Sequence, residues 1–300
     1  MSRIRIGTRG SALALWQARH VKERLESLGH TVSLHEITTT GDRMQDQRLE
    51  VVGGKGAFLK EIEEALLADE VDLAVHSLKD VPTSLPSGLR LTAILERADP
   101  RDVLVSSGPG LDALPAGACV GTTSLRRRSL VGALRPELRL EDLRGNVDTR
   151  LRRLREGRFD AILLAMAGLA RLGRADEATE ALDPRRFVPA PGQGAIALEC
   201  REGASAVRDA AAPLDHPATA RAVAAERAFL ERLGGGCNVP LGAHAFAAGA
   251  ELELVAFVAS PDGKTLVRGE RRGSDARALG HALADELVAR GARELIGRRA

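Results

Sequence analysis

The chain has 300 residues, of which 28% are charged and 44% are hydrophobic, the composition of an ordinary globular protein of two or three domains. Its formal net charge of +2 excludes the general cationic field that drives non-specific nucleic-acid binding, and an aromatic content of 2% argues against base-stacking surfaces. The sequence contains no run of 18 apolar residues, so no transmembrane helix is predicted. The first residues also lack the apolar core of a signal peptide, which predicts a cytoplasmic location.

The first 95 residues alternate short strand patterns with helical patterns. RIRIG, from Arg3, predicts a strand, and apolar residues spaced by four and three positions after Ser11 predict an amphipathic helix that ends at Gly29. TVSLHEI, VDLAVHS and residues 89–95 predict further strands, with a helix near 58–68 among them. Strands and helices in alternation predict βαβ units on a mostly parallel sheet.

A second alternating block follows the DPRD sequence at 99–102. Its predicted strands lie near Val103, 118–121, 138–141 and 160–165, and its predicted helices follow Ser124, Asn146 and Met166. VPAPGQG, at 188–194, predicts a hinge, after which AIALECR returns to the first sheet. From about Pro217 a helix, three successive strands and a last helix from about Ser274 predict a small α+β domain.

The predicted fold class is therefore α/β, with two lobes of mostly parallel mixed sheets that face a cleft and a small α+β C-terminal domain. The predicted boundaries are 1–96 plus about 195–213 for domain 1, 97–194 for domain 2 and 214–300 for domain 3.

The three cysteines form no CxxC, and none pairs with a histidine at zinc spacing, so neither a disulfide framework nor a metal site is predicted. Cys119 and Cys200 lie in apolar strand patterns and are predicted to be buried. Cys237 follows three glycines, which predicts an exposed loop. Its thiol is either without a role or a nucleophile or attachment point, and no recognisable histidine partner supports a cysteine hydrolase.

The segment from His76 to Asp80 follows a predicted buried strand. Its side chains are therefore expected at the carboxyl end of that strand, where open α/β sheets bind ligands. Lys79 and Asp80 are either a solvated surface pair or groups that face a ligand, with Asp80 as proton donor or acceptor.

Arginines stand at predicted helix starts in three places. The placements are Arg9 before Ser11, Thr122 and Ser124 before 126–128, and Arg144 before Asn146 and Arg150. Cations there oppose the helix dipole, so they make sense where an anion binds at that end. The alternative is an arginine-rich surface set by base composition, since only five of the 43 basic residues are lysine.

The GGKG sequence at 53–56 lacks the spacing of a phosphate P-loop. It lies in a long stretch without a regular pattern, which predicts a lid loop that contains Lys55 and Phe58.

Ordered motifs cover nearly the whole chain. They are GTRGSALALWQ, GDRMQDQ, GGKGAFLKE, DLAVHSLKDVP, ERADPRD, VGTTSLRRR, LRGNVDTRL, AMAGLARLG, PGQGAIALECR and GGGCNVPLGAHA. As a set they resemble the porphobilinogen deaminase family, also called hydroxymethylbilane synthases. The resemblance implies two lobes built like periplasmic solute-binding proteins, and a third domain whose Cys237 holds a dipyrromethane cofactor through a thioether.

The resemblance also implies the reaction and its residues. Four porphobilinogen molecules are joined head to tail with loss of ammonia, and hydrolysis releases 1-hydroxymethylbilane, with no metal required. The sequence itself has no unusual apolar seam and little net charge, so a monomer without nucleic-acid or membrane partners is expected. Asp80 is the implied catalytic residue. The implied cofactor-binding residues are Lys79, Asp80, Thr122, Ser124, Arg126, Arg127 and Arg144, and the implied substrate-binding residues are Arg9, Ser11, Arg144, Arg150, Arg171 and Gln193. A non-enzymatic, two-lobed anion-binding protein is the alternative, which explains the arginines and the hinge but not the cysteine loop.

Overall fold

The structure is a computed structural model that describes residues 2–43, 59–234 and 239–296. The chain divides into two compact units, one formed by residues 1–98 and 194–220 and the other by residues 99–193 and 221–300. Within the described ranges, every helix is too short or too polar to cross a lipid bilayer.

In the described residues, the strands form two five-stranded sheets and one three-stranded C-terminal sheet. In chain order they are β1 Arg3–Thr8, β2 Thr31–Glu36, β3 Leu73–Ser77, β4 Leu89–Ile94, β5 Asp102–Ser106, β6 Cys119–Gly121, β7 Arg139–Glu141, β8 Ala161–Ala165, β9 Glu180–Ala181, β10 Ile196–Arg201, β11 Leu241–Ala248, β12 Glu251–Ala259 and β13 Leu266–Gly273. The α-helices are α1 Ala12–Ser27, α2 Thr40–Arg43, α3 Lys60–Leu67, α4 Leu125–Leu134, α5 Val147–Arg155, α6 Met166–Arg171, α7 Ser205–Ala211, α8 Pro217–Arg232, α9 Ala276–Ala289 and α10 Ala292–Ile296.

The first unit contains a five-stranded sheet in the order β2-β1-β3-β10-β4. β1 pairs in parallel with β2 and β3, whereas β10 is antiparallel to β3 and β4, so four strands run one way and β10 runs against them. The predicted return of residues 196–201 to this sheet is confirmed. α1 begins at its N-cap Ser11 and buries Ala18, Val21 and Leu25, which belong to the predicted apolar face.

The second unit repeats this plan in the order β7-β6-β8-β5-β9. β6 is parallel to β7 and β8, and β5 is antiparallel to β8 and β9, so β5 is the reversed strand. The sequence predicts β5 to β8 and helices α4 to α6, and the structure confirms them. β9 has only two residues, too few for a periodic signal, and the sequence does not predict it.

The C-terminal part of the second unit is an antiparallel meander, β11-β12-β13, packed against α8, α9 and α10. Phe229, Leu254 and Leu283 are fully buried in the core between them. Phe257 points to the other face of the meander and packs in one core with Leu104 of β5. The predicted fold class, two mixed α/β sheets of mostly parallel strands with a third C-terminal sheet, is confirmed, and the three domain boundaries stay a prediction.

The close approach of α8 and α9 depends on Gly280. A Cβ atom at this position would lie 2.3 Å from the Ala225 carbonyl oxygen and 2.7 Å from the Ala228 Cβ. Alanine normally stabilises a helix interior relative to glycine by about 1 kcal/mol. We predict the opposite sign for Gly280→Ala, a loss of about 1–3 kcal/mol in the free energy of unfolding, because the helices must move apart. Urea unfolding measures this, with Gly108→Ala, which meets no atom within 4 Å, as control; equal stability of the two variants would contradict the packing.

Candidate active site

In the first unit, a pocket lies at the carboxyl end of β3. The strand ends at Ser77, and a single 3-10 turn over residues 78–80 follows, so Asp80 comes directly after the sheet edge. The polar residues that line the pocket are Arg9, Ser11, Gln17, His76, Ser77 and Asp80. Gln17 Nε2 donates a hydrogen bond to Ser77 Oγ at 2.8 Å, which joins α1 to the end of β3. The structure thus brings together three predicted site residues, Arg9, Ser11 and Asp80, while Lys79 lies in the same turn.

Arg9 is oriented by an internal carboxylate. Its Nε and Nη2 donate to the carboxylate oxygens of Asp42, which lies in α2. Thr39 Oγ1 also donates to Asp42 Oδ2, at 2.7 Å. Burial alone would raise the pKa of Asp42, but Arg9 and Thr39 hold it below the usual value. Ser11 caps α1, with its Oγ accepting from Ala14 N at 3.3 Å. The sequence pattern does not predict Asp42 as the partner of Arg9.

In the second unit, Arg126 and Arg127 converge on Asp102, the first residue of β5. Arg126 Nη1 donates to Asp102 Oδ2 at 2.6 Å and Nη2 to Oδ1 at 3.0 Å. Arg127 Nε donates to Oδ1 at 2.9 Å. Arg127 Nη2 also lies 2.7 Å from Oδ1. Both guanidiniums donate to backbone carbonyls as well: Arg126 Nη1 to Val188 O and Arg127 Nη1 to Leu163 O, both at 2.8 Å. All three charged side chains are buried, so the anion expected at the start of α4 is, in part, the chain's own Asp102.

This cluster of Asp102, Arg126 and Arg127 has two positive charges against one negative charge, a net charge of +1. Burial alone would raise the pKa of Asp102, but the two guanidiniums hold it well below its usual range, so it is ionised at neutral pH. Each guanidinium has five N–H donors, and the contacts above use three of them in each case, counting the 2.7 Å ion pair from Arg127 Nη2. The cluster therefore suits one further anion, such as a carboxylate.

Gln193 and Glu226 anchor the predicted hinge segment within the second unit. Gln193 Nε2 donates to Pro100 O at 2.7 Å and to Asp102 Oδ1 at 3.1 Å, and its side chain is buried. The fully buried Glu226 accepts from Gly192 N at 2.7 Å and from Ala245 N at 2.9 Å. Gln193, predicted as a substrate-binding residue, thus holds the carboxylate that orients the two arginines.

The two predicted hydroxyl ligands shape the turn before α4. Thr122 is buried, and its Oγ1 accepts from Ser124 N at 3.2 Å. Ser124 is the N-cap of α4 and accepts from Arg127 N at 3.4 Å. Side-chain oxygens here satisfy backbone donors that a helix start leaves without intrahelical partners.

The other predicted arginines of the second unit lie at or near α5 and α6. Arg144 precedes the N-cap Asn146 and lies 3.9 Å from Asp142 Oδ2. Arg150, in α5, donates from Nε to Gly145 O at 2.8 Å. Arg171 ends α6, and burial lowers the pKa of its guanidinium to about 10, which leaves it protonated at neutral pH.

Three predicted residues, Cys237, Lys55 and Phe58, lie outside the described residues. The other two cysteines, Cys119 and Cys200, are buried as predicted, and burial raises the pKa of both thiols. Neither therefore has the exposed, easily ionised thiol that attachment chemistry needs.

Removal of the Asp102 charge should destabilise the protein, because two buried guanidiniums would lose their counter-ion. We predict that Asp102→Asn lowers the free energy of unfolding by about 3–5 kcal/mol at neutral pH. A carboxyl group whose pKa is depressed in the folded state contributes stability above its unfolded pKa of about 3.9 and loses it as the pH falls through the folded value. The difference from wild type should therefore be full above about pH 5 and narrow below about pH 4.

Chemical unfolding across this pH range tests the Asp102 prediction. Asp176→Asn, at an exposed position of the same unit, is the matched control and should stay close to wild type. If the difference in free energy of unfolding between wild type and Asp102→Asn stayed the same in acid, the carboxylate charge would not be the stabilising feature.

Two family models together match most of the chain. A family model described as porphobilinogen deaminase, dipyromethane cofactor binding domain, matches residues 4–209, and one described as porphobilinogen deaminase, C-terminal domain, matches residues 220–289. Among solved structures, the chain is similar to the periplasmic VFT2 domain of Bordetella pertussis BvgS (TM-score 0.42, 15% identity, 73% of this chain and 90% of that chain). It is also similar to an ancestral arginine-binding protein (TM-score 0.36, 15% identity, 69% and 88%).

Curated relatives are similar over nearly their whole length. Porphobilinogen deaminase of Syntrophobacter fumaroxidans is 53% identical over 98% of this chain and 96% of that protein. Those of Geobacter sulfurreducens and Trichlorobacter lovleyi are 50% and 51% identical, over 99% and 98% of this chain and 94% and 96% of theirs. The chain belongs to the porphobilinogen deaminase family.

Proposed function

We propose that this chain joins four porphobilinogen molecules head to tail, with release of ammonia, on a dipyrromethane primer, and that hydrolysis then frees 1-hydroxymethylbilane. Membership of the porphobilinogen deaminase family over nearly the whole chain supports this enzymatic function and does not favour a non-enzymatic anion-binding protein. The observation in the structure that carries the proposal is the pocket of the first unit, in which Asp80 follows β3 beside Arg9 and Ser11.

The charged residues fit the ligands of this reaction. Each porphobilinogen unit carries one acetate and one propionate, so a growing chain needs several fixed cations. Guanidinium groups bind carboxylates through paired hydrogen bonds and stay charged at neutral pH. In the second unit, the cluster of Asp102, Arg126 and Arg127 has a net charge of +1 and uncommitted N–H donors, and Arg144, Arg150 and Arg171 add further positive charge. We assign these arginines, with Thr122, Ser124 and Lys79, to the carboxylates of primer and substrate.

Asp80 is the proposed catalytic residue. Its carboxyl group can protonate the leaving amine, stabilise the cation that remains on the substrate, and accept the proton lost when the new ring regains aromaticity. The turn directly after a buried strand positions the backbone of this residue, and Asp80 is half-buried there rather than enclosed. Arg9, already paired with Asp42, supplies a guanidinium in the same pocket.

The proposed attachment point of the primer is Cys237, through a thioether. When bound, the dipyrromethane supplies the pyrrole carbon that accepts the first substrate. We also propose Gln193 as a substrate-side residue, a lid role for the loop with Lys55 and Phe58, and a cytoplasmic monomer without membrane partners. The net charge of +2 supports the proposed lack of a nucleic-acid partner.

Attachment to Cys237 predicts a mass difference. The intact wild-type protein should exceed its sequence mass by the mass of two linked pyrrole units, whereas Cys237→Ala should show the bare chain. Cys119→Ala, which removes a buried thiol, should keep the added mass. Mass spectrometry of the three proteins decides the assignment, and an active wild-type preparation with the bare mass would exclude a covalent primer.

The role of Asp80 predicts a loss of turnover without a loss of fold. Asp80→Asn should lower kcat for porphobilinogen consumption by about 10²–10⁴-fold, because general acid–base help of this size is removed. Asp209→Asn, at an exposed position of the same unit, should keep the wild-type rate. Ammonia release and porphobilinogen loss are the readouts. A wild-type protein that consumes no porphobilinogen would sink the proposed function, and a fully active Asp80→Asn would remove only this residue from it.

A further inference from the structure

A buried cluster of titratable side chains lies behind the Asp80 pocket. His76 in β3 and Glu199 in β10 are fully or almost fully buried, and His76 Nε2 lies 2.9 Å from Glu199 Oε2. This distance is typical of a hydrogen bond, but the two groups are not aligned for one. No other described group donates to either Glu199 oxygen. The half-buried Glu63 of α3 interacts electrostatically with this pair: burial raises the pKa of its carboxyl group, the Glu199 charge raises it further, and His76 lowers it.

The burial of Glu199 limits how many protons the pair can hold. In a protein interior, an ionised carboxylate costs several kcal/mol unless a cation is paired with it, and a neutral N–H donor alone does not supply that opposite charge. Glu199 is therefore stable in two states: ionised beside a protonated His76 ring, or protonated and donating to a neutral ring. In both states one proton lies between Nε2 and Oε2, and in both the Nδ1 atom of His76 carries a hydrogen.

The same ring lines the pocket that contains Asp80. Since Nε2 is turned to Glu199, Nδ1 is the ring nitrogen left for a ligand in that pocket. The other charged groups that line it are Arg9, which is paired with Asp42, and Asp80 itself. A ring with a fixed N–H on this wall is a hydrogen-bond donor, and the substrate's carboxylates are acceptors.

We propose that His76 is a further substrate-binding residue, which donates a hydrogen bond from Nδ1 to a carboxylate of porphobilinogen, and that Glu199 is the positioning residue that keeps this hydrogen in place. The proposal rests on the proposed function for the identity of the ligand. The protonation state of the ring rests on the geometry of the first unit alone.

The first experiment reads the proton directly. In the wild-type holoenzyme labelled with ¹⁵N-histidine, two-bond nitrogen–proton correlation spectra between pH 7 and 9 should show His76 with a hydrogen on Nδ1. Loss of one signal set in His76→Asn, or in His76→Gln if the first variant does not fold, assigns the ring. A neutral His76 with its hydrogen on Nε2 alone would overturn the proposal, whatever the protein's activity.

The second experiment tests the contact with substrate. His76→Gln places an amide at the Nε2 position and no donor at the Nδ1 position, so KM for porphobilinogen should rise about tenfold or more, with a much smaller change in kcat. His76→Asn places an amide at the Nδ1 position and should restore most of the affinity. His35→Gln, at an exposed position of β2, is the matched control and should behave as wild type.

The outcomes separate this inference from the proposed function. If wild type consumes porphobilinogen but His76→Gln keeps a wild-type KM, or if His76→Asn is as impaired as His76→Gln, the contact from Nδ1 is wrong and the proposed function stands. If wild type consumes no porphobilinogen, the proposed function fails and the substrate contact fails with it, whereas the spectra still decide the protonation state of the ring.

Discussion

The second unit depends on the burial of Asp102 between Arg126 and Arg127. Each of these ions would cost several kcal/mol to desolvate alone, so the three are stable in the interior only together. The contacts that satisfy them also join separate parts of the unit, since Arg126 reaches Val188 O and Arg127 reaches Leu163 O. Stability and function are thereby linked, because the interactions that make the charges tolerable also fix the directions in which the remaining N–H donors point.

Periodicity and turn signals predict most elements of this fold but not its strand directions. Alternation of apolar strands and amphipathic helices is a local property, and it predicts β1 to β8 and α1 within a few residues of their bounds. Direction in a sheet is set by how the chain leaves and returns to it. β5 and β10, the two reversed strands, follow crossings between the units, and no local pattern distinguishes them from parallel neighbours.

The partners of the site arginines were harder to predict than the arginines themselves. Three arginines at a helix start predict an anion, and the simplest reading places that anion outside the chain. Asp102 lies 24 residues before Arg126 in the sequence, so no helical or strand spacing relates the two. A signal was nevertheless present: Asp102 opens the apolar run VLV, and Glu199 interrupts the apolar run IALEC. An acidic residue within a buried strand must have a cationic or proton-donating partner, which makes it a candidate for a site.

The two units bury different kinds of charged cluster. The second unit buries one carboxylate with two guanidiniums, groups that keep their charges throughout the neutral range, and this suits it to hold carboxylates at a constant affinity. The first unit buries the imidazole of His76 with the carboxylate of Glu199, a pair that can share a proton. A reaction that releases ammonia and then a ring proton in every cycle needs both properties.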